Sequence, residues 1–264
     1  VNESSRVERV LAPNPSLYTG PGTNTYLLRD GGEVLILDPG PIIPEHEAEI
    51  LGAVRGDTVV GVVATHTHPD HAPLANPLGS RLDVPVLGFD VGPGFRPDVR
   101  LADADTVRFG RRSITAVHTP GHTPDHLCFL LDDLLFTGDH IMQGSTVVIE
   151  DAADYLQSLY RVRDLAVHRL EPGHGDAIDD AGGAISDYID HRLERERQLL
   201  STIADGAHTV GELVDAVYAD VPAGLRPAAV HQVRVQLTKL SRDGAVTFDD
   251  DRTERATVRL PPQA

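Results

Sequence analysis

Short apolar runs alternating with helical spacing, followed by two helices and a hairpin, predict a mixed α/β (α+β) protein in two parts. Three observations carry this expectation. Apolar runs of strand length, bounded by Gly, Pro and Asp, recur between Thr23 and Phe136. Segments with apolar residues three and four apart stand between them. From about Gly183 the strand signals give way to long helical ones. The division expected is a large domain over residues 1–182, then a linker helix and a small domain over 183–264.

Taken in order, Thr23 to Leu28 and Val34 to Leu37 read as strands hinged at Arg29-Asp30-Gly31-Gly32. Pro44 to Val54 is helical through Ile50, Leu51 and Val54, and Val59 to Ala64 is a buried strand. A short helix interrupted by Pro77 and a strand from Val84 to Leu87 follow. Gly88 to Asp105, rich in Gly, Pro and Asp, reads as an irregular loop. Further strands are expected at Val107 to Phe109, Ser113 to Val117, Leu127 to Leu131 and Leu134 to Phe136, then a helix from Ala152 to Val162. Ile185 to Ile203 reads as one long helix. Thr209 with Glu212 forms a capping-box signature for the next. Pro227 to Arg242 is the last helix, with Gly244 just past its end. Ala245 to Phe248 and Ala256 to Leu260 then form a hairpin around Asp249-Asp250-Asp251, giving a winged-helix order.

The chemistry concentrates in His66-Thr67-His68-Pro69-Asp70-His71, which follows the strand ending at Ala64. In an extended loop, residues two apart point the same way, so His66 and His68 aim at a common point. Asp70 and His71, further on, face a second point nearby. Imidazole and carboxylate are the borderline ligands that zinc and similar divalent ions prefer. Gly121-His122, Gly138-Asp139-His140 and Gly173-His174-Gly175 each place a further ligand-type residue beside glycine, which permits a sharp turn and a close approach. Together His66, His68, His122, Asp139, Asp70, His71 and His174 can hold two metal ions, with Asp139 as the natural bridge. Two such ions lower the pKa of a shared water, so that hydroxide forms without a strong base and attacks a carbonyl or phosphorus. Asp70 is a candidate both to ligate and to orient that nucleophile. His126 or His140 is a candidate to protonate the leaving group. Asp38 fits hydrogen bonding around the site better than metal binding, and His46, His168, His191, His208 and His231 read as surface or packing residues.

The H-x-H-x-D-H motif, the later G-H, G-D-H and P-G-H-G, and their order resemble the metallo-β-lactamase-fold hydrolase superfamily over roughly residues 15 to 180. The resemblance implies a four-layer αββα sandwich with the metals at one edge of its two sheets. It implies that His66, His68 and His122 bind one metal, that Asp70, His71 and His174 bind the other, and that Asp139 bridges them. The tail's helix order extends the resemblance to the β-lactamase-like protein 2 branch, which carries a C-terminal winged-helix domain. Some members of that branch are single-strand endoribonucleases, so RNA enters as an alternative substrate. Zinc β-lactamases of similar site usually have cysteine where Asp139 stands. Glyoxalase-II-type thioesterases share the ligand set but usually hold their thiol with a basic helical tail. After His71 the sequence departs from the usual pattern, with Ala72-Pro73 in place of small Gly-containing steps, which changes the pocket wall and not the ligands.

Charge and composition narrow the partners. The 264 residues carry 40 acidic and 23 basic side chains, a net of −17, and Lys239 is the single lysine. Residues 201 to 264 hold nine acidic against seven basic side chains, and the wing tip is Asp249 to Asp251. Nucleic-acid affinity rests largely on Lys and Arg neutralising phosphate, so this balance disfavours RNA and favours a packing or dimerisation role for the small domain. No apolar run reaches membrane-spanning length, and Val1 to Arg6 is polar without a signal-peptide core. The lone Cys128 precludes an internal disulfide, reads as core, and with the polar start suits a reducing cytoplasm. The expectation is a dinuclear zinc hydrolase, iron or manganese being alternative metals, acting on a small acyl compound (thioester, ester, lactone or β-lactam). A homodimer through the small domain is compatible with this reading.

Overall fold

The computed structural model describes residues 6–144 and 147–261, so the polar start at residues 1–5 lies outside the described residues. Two sheets form the frame. The first holds β1 (Arg6–Leu11), β2 (Asn24–Asp30), β3 (Glu33–Leu37), β4 (Thr58–Val63), β5 (Val86–Gly88) and β6 (Val99–Arg100), neighbours in chain order. Helix α1 (Pro44–Ala53) connects β3 to β4, and α2 (Ala75–Leu82) connects β4 to β5. Both strand pairs are parallel, a pairing that needs such a crossover. The second sheet holds β7 (Thr106–Phe109), β8 (Arg112–His118), β9 (Leu127–Leu131), β10 (Leu134–Gly138) and β11 (Arg169–Pro172). Its last two strands run parallel around α3 (Ala152–Asp164).

Strand alternation sorts side chains into layers. From β3, Leu35 and Leu37 point into a cluster with Phe109, Phe129 and Phe136 of the other sheet. Val34 and Ile36 point the opposite way, onto Ile50 of α1 and Leu78 of α2. Beyond the second sheet, Cys128 and Leu135 meet Leu159 and Val162 of α3 and Ile185 of α4 (Ala181–Ala204). Helix, sheet, sheet, helix is the four-layer order expected. Cys128 is core as expected, and burial pushes its thiol up to about 12.

Helix α4 continues for 24 residues and serves two cores. Its later Leu199 and Ile203 join Leu213 of α5 (Val210–Val217) and Leu237 of α6 (Arg226–Arg242). A hairpin of β12 (Thr247–Asp249) and β13 (Thr257–Arg259) completes this winged helix. The capping box at α5 is present, Thr209 accepting from the Glu212 backbone and Glu212 returning to the Thr209 N–H.

The structure adds elements that sequence reasoning did not place. Strand β1 was not expected because Val7 and Val10 are split by Glu8 and Arg9; it is an outer strand on β2. Strand β11 ends in proline and carries Glu171, tolerable because it is the sheet's edge. The loop over 88–105 contains β6, two residues long. Helix α4 begins at Ala181, not Ile185, because Asp180 caps it and carries it through Gly182 and Gly183.

Candidate metal centre

All seven predicted ligand residues lie where strands end. His66, His68, Asp70 and His71 follow β4; His122 lies between β8 and β9; Asp139 follows β10; His174 follows β11. The ends of the two sheets are tied together there. The Leu127 N–H donates to Thr65 O, and the Asn24 N–H to Gly173 O. The first cluster does not run straight into a helix. His71 and Ala72 donate to the His68 carbonyl, closing a turn, and α2 begins only at Ala75.

The ligand atoms form two groups, each within 4.8 Å: His66, His68, His122 and Asp139, then Asp70, His71, Asp139 and His174. Asp139 belongs to both. Its Oδ1 stands 3.3 Å from His71 Nε2 and 3.4 Å from His174 Nε2, while its Oδ2 faces His122 Nε2 at 3.7 Å. In the first group His122 Nε2 is 3.0 Å from His68 Nδ1 and 3.3 Å from His66 Nε2. In the second His71 Nε2 and His174 Nε2 are 3.2 Å apart, and Asp70 Oδ2 is 3.2 Å from the latter.

Four imidazoles are aimed by what their Nδ1 atoms meet. His122 Nδ1–H donates to Val148 O at 2.6 Å, His174 Nδ1–H to Gly22 O at 3.0 Å, and His71 Nδ1–H to Asp38 Oδ2 at 2.9 Å. Thr65 Oγ1 donates to Asp38 Oδ2 and so accepts from His66 Nδ1–H at 3.0 Å. In each neutral ring the proton sits on Nδ1 and the Nε2 lone pair faces the centre.

Burial lowers His66 well below its usual pKa, with His71 and His122 adding to it. Burial lowers His122 too, against the pull of Asp139. In the other group burial opposes charging, yet Asp139 and Asp38 raise His71 well above normal. There burial again opposes, but Asp139 and Asp70 raise His174 to about 9. Asp139 is itself held well below the carboxylate range, where burial is outweighed by His71 and His174.

Glycine is required where the walls close. A Cβ at Gly173 would lie 2.7 Å from His71 Cε1 and 2.8 Å from Asp139 Oδ1. A Cβ at Gly121, where φ is +131°, would lie 2.4 Å from Tyr155 Cα in α3.

The two candidate proton donors sit elsewhere. His126 is fully buried, its Nε2 accepting from the Asp139 N–H and its Nδ1 bonded to Thr119 Oγ1. His140 is also fully buried, against the Tyr155 ring, and burial pushes it down to about 3. Neither lines the cavity of about 660 Å³ over the ligands, whose wall includes Asp70, Glu150 and His231.

Sequence reasoning missed the supporting residues. Asn24 Nδ2 donates to Pro172 O and Gly175 O, and Tyr26 Oη to Pro172 O, tethering the His174 turn. The Val147 to Ile149 segment is held carbonyl by carbonyl. Arg192 of α4 donates to Val147 O, His122 to Val148 O, and Gln232 of α6 to Ile149 O. No local signal marks these pairs, because partners lie 26 to 151 positions apart.

Residues 18–92 and 89–174 match the metallo-beta-lactamase superfamily, and residues 209–255 match the beta-lactamase associated winged helix domain. The chain is 32% identical to a beta-lactamase-like protein 2 homolog of Drosophila melanogaster, over 99% of this chain and 96% of that one. It is 32% identical to an atrochrysone carboxyl ACP thioesterase of Aspergillus chevalieri, over 92% of this chain and 83% of the relative. In structure it is similar to a beta-lactamase domain protein from Burkholderia ambifaria, with a TM-score of 0.84 at 21% identity, covering 97% and 91% of the two chains.

Proposed function

The chain belongs to the metallo-beta-lactamase superfamily, with its associated winged-helix domain, and from that premise we propose a hydrolase that uses two zinc ions to cleave a small acyl thioester. The observation that carries this reading is Asp139, whose two oxygens face two different sets of imidazoles. The donor set suits a divalent cation. Asp139 Oδ1 is buried without a hydrogen bond, and His71 Nε2 and His174 Nε2 converge on it at 3.3 and 3.4 Å. Such an arrangement calls for a cation between them. His66, His68 and His122 would hold one ion, Asp70, His71 and His174 the other, with Asp139 shared. Imidazole and carboxylate suit zinc, and would accept iron or manganese. Divalent metal there supplies Lewis acidity toward a carbonyl oxygen and acidifies water.

The protein's own groups do the rest. Asp70, on the cavity wall and partly exposed, accepts a hydrogen bond from the attacking water and orients it. His126 and His140, sealed below the cavity, are withdrawn from the leaving group. That favours a group able to depart as an anion. A thiolate, with a parent pKa of about 8.5, does so far more readily than an amine. The thioesterase name of the fungal relative supports the same class, ahead of esters, lactones and lactams. The acidic chain, and Arg234 of α6 paired to Asp250 of the wing, weigh against RNA. We assign catalysis to residues 1–182, with residues 183–264 as a linker helix and winged helix packed against them.

The test uses purified protein before and after chelation, with an acyl thioester, a chromogenic lactam and a labelled RNA oligomer. Thioester cleavage lost on chelation and restored by zinc is expected, with two metal equivalents by elemental analysis. Metal-dependent RNA cutting without acyl turnover would overturn the reading.

A further inference from the structure

A second cavity, of about 750 Å³, opens beside the one over the ligands. The two share Leu17, Tyr18, Met142, Val147 and Val148 along their walls. The second cavity leads away from the ligand cluster, between α4 and the winged-helix domain, past Tyr188 to Ala228. Its size falls within the roughly 300–1,000 Å³ usual for small-molecule sites.

Its lining has a definite chemistry. No lysine or arginine lines it among the described residues, and Asp187 is the one carboxylate there. His191, also on the wall, is pushed below its usual range by burial and by Arg192 and Arg195, which disfavours its charged form. The shared wall exposes apolar side chains that nothing in the fold covers: Leu17 is 79% and Tyr18 is 60% exposed. Apolar surface left at the junction of two contiguous cavities marks a ligand that passes between them. A charged tail finds no counter-cation in this lining, within a chain of net charge −17.

Resting on the thioester reading, we propose that this second cavity is an acyl groove. The thioester carbonyl lies over the ligand cluster, and an uncharged apolar acyl chain of about eight carbons or more runs past Met142, Val147 and Tyr188 to Ala228. The winged-helix domain, through α6, then forms one wall of the specificity pocket. Each methylene moved from water into such a groove strengthens binding about fourfold at best, so a six-methylene difference gives well over tenfold.

Two measurements on the full chain test it. Calorimetry compares the S-butyl and S-decyl thioethers of N-acetylcysteamine, which are neutral and not cleavable. The decyl compound is expected to bind at least tenfold tighter; equal affinity overturns the groove. Hydrolysis of the butanoyl and decanoyl thioesters is then compared in wild type and in Ala228→Phe, with Ala184→Phe on the opposite wall as a second variant. The decanoyl-to-butanoyl ratio of kcat/KM is expected to fall at least fivefold in both; a ratio unchanged in both overturns the proposal. Tighter decyl binding with no hydrolysis of either thioester would sink the thioesterase reading while upholding the groove, so the two failures are distinct.

Discussion

Asp38 sits outside both ligand groups, yet its carboxylate accepts three hydrogen bonds that aim two of the ligands. Oδ1 takes the Thr65 N–H at 2.7 Å; Oδ2 takes Thr65 Oγ1 at 2.8 Å and His71 Nδ1 at 2.9 Å. Its backbone lies at φ +50°, a region that Asp and Asn tolerate better than most residues. Asp38→Asn therefore keeps the shape and the backbone but replaces one acceptor oxygen by a donor. Metal affinity of the group containing His71 is expected to fall about 10- to 100-fold, read by competition with a chromogenic chelator. Unchanged affinity would remove Asp38 from its positioning role. The residue type at 38 was legible in the sequence as a hydrogen-bonding aspartate, but not its partner, because His71 is 33 positions away.

At the scale of elements, α3 and the segment before it decide how firmly His122 is held. Asp151 caps α3, accepting from the Ala153 and Asp154 N–H groups, and pairs with Arg242 at the end of α6. Partial burial opposes ionisation, but Arg242 and the capped N–H groups hold its carboxyl below the usual range. A depressed folded pKa contributes stability above the unfolded value, near 4, and loses it as pH falls through the lower folded value. Asp151→Ala should thus cost about 1 kcal/mol at neutral pH, with the difference from wild type vanishing as pH drops below about 4. Urea melts at pH 7 and pH 3 check this; an equal loss at both pH values would refute it.

Arg192 carries Val147 O, while its guanidinium lies 4.8 Å above the Tyr155 ring. Arg192→Met leaves that carbonyl without its donor and loosens the acceptor of His122 next to it. Metal affinity in the group with His66, His68 and His122 should fall about tenfold, with the other group unchanged. Two resolved affinities in the same chelator competition would show which moves; a shift confined to the wrong group counts against the link.

For the molecule as a whole, the candidate centre joins the two sheets at one edge, so a metal held there would couple binding to folding. Five of the seven ligand side chains are buried, and His71 and Asp139 face each other across the sheet ends. Chelation should lower Tm by several degrees, and added divalent metal should restore it, rising with the logarithm of its free concentration above Kd. Calorimetric scans with and without chelator decide this, a Tm indifferent to metal being incompatible with the site. No helix among the described residues is long and apolar enough to cross a membrane.

By itself the sequence determined the alternation of strands and helices, the winged-helix order of the tail, and the seven ligand-type residues. Those signals are local: periodicity, capping residues, and histidines packed beside glycine at strand ends. Tertiary structure alone decided that His126 and His140 are sealed beneath the cavity, and that α4 and α6 wall a second cavity. Each of these depends on which strand ends meet and which helix face covers them. Contacts of that kind arise from the packing of layers distant in the chain, and leave no periodic mark in any one segment.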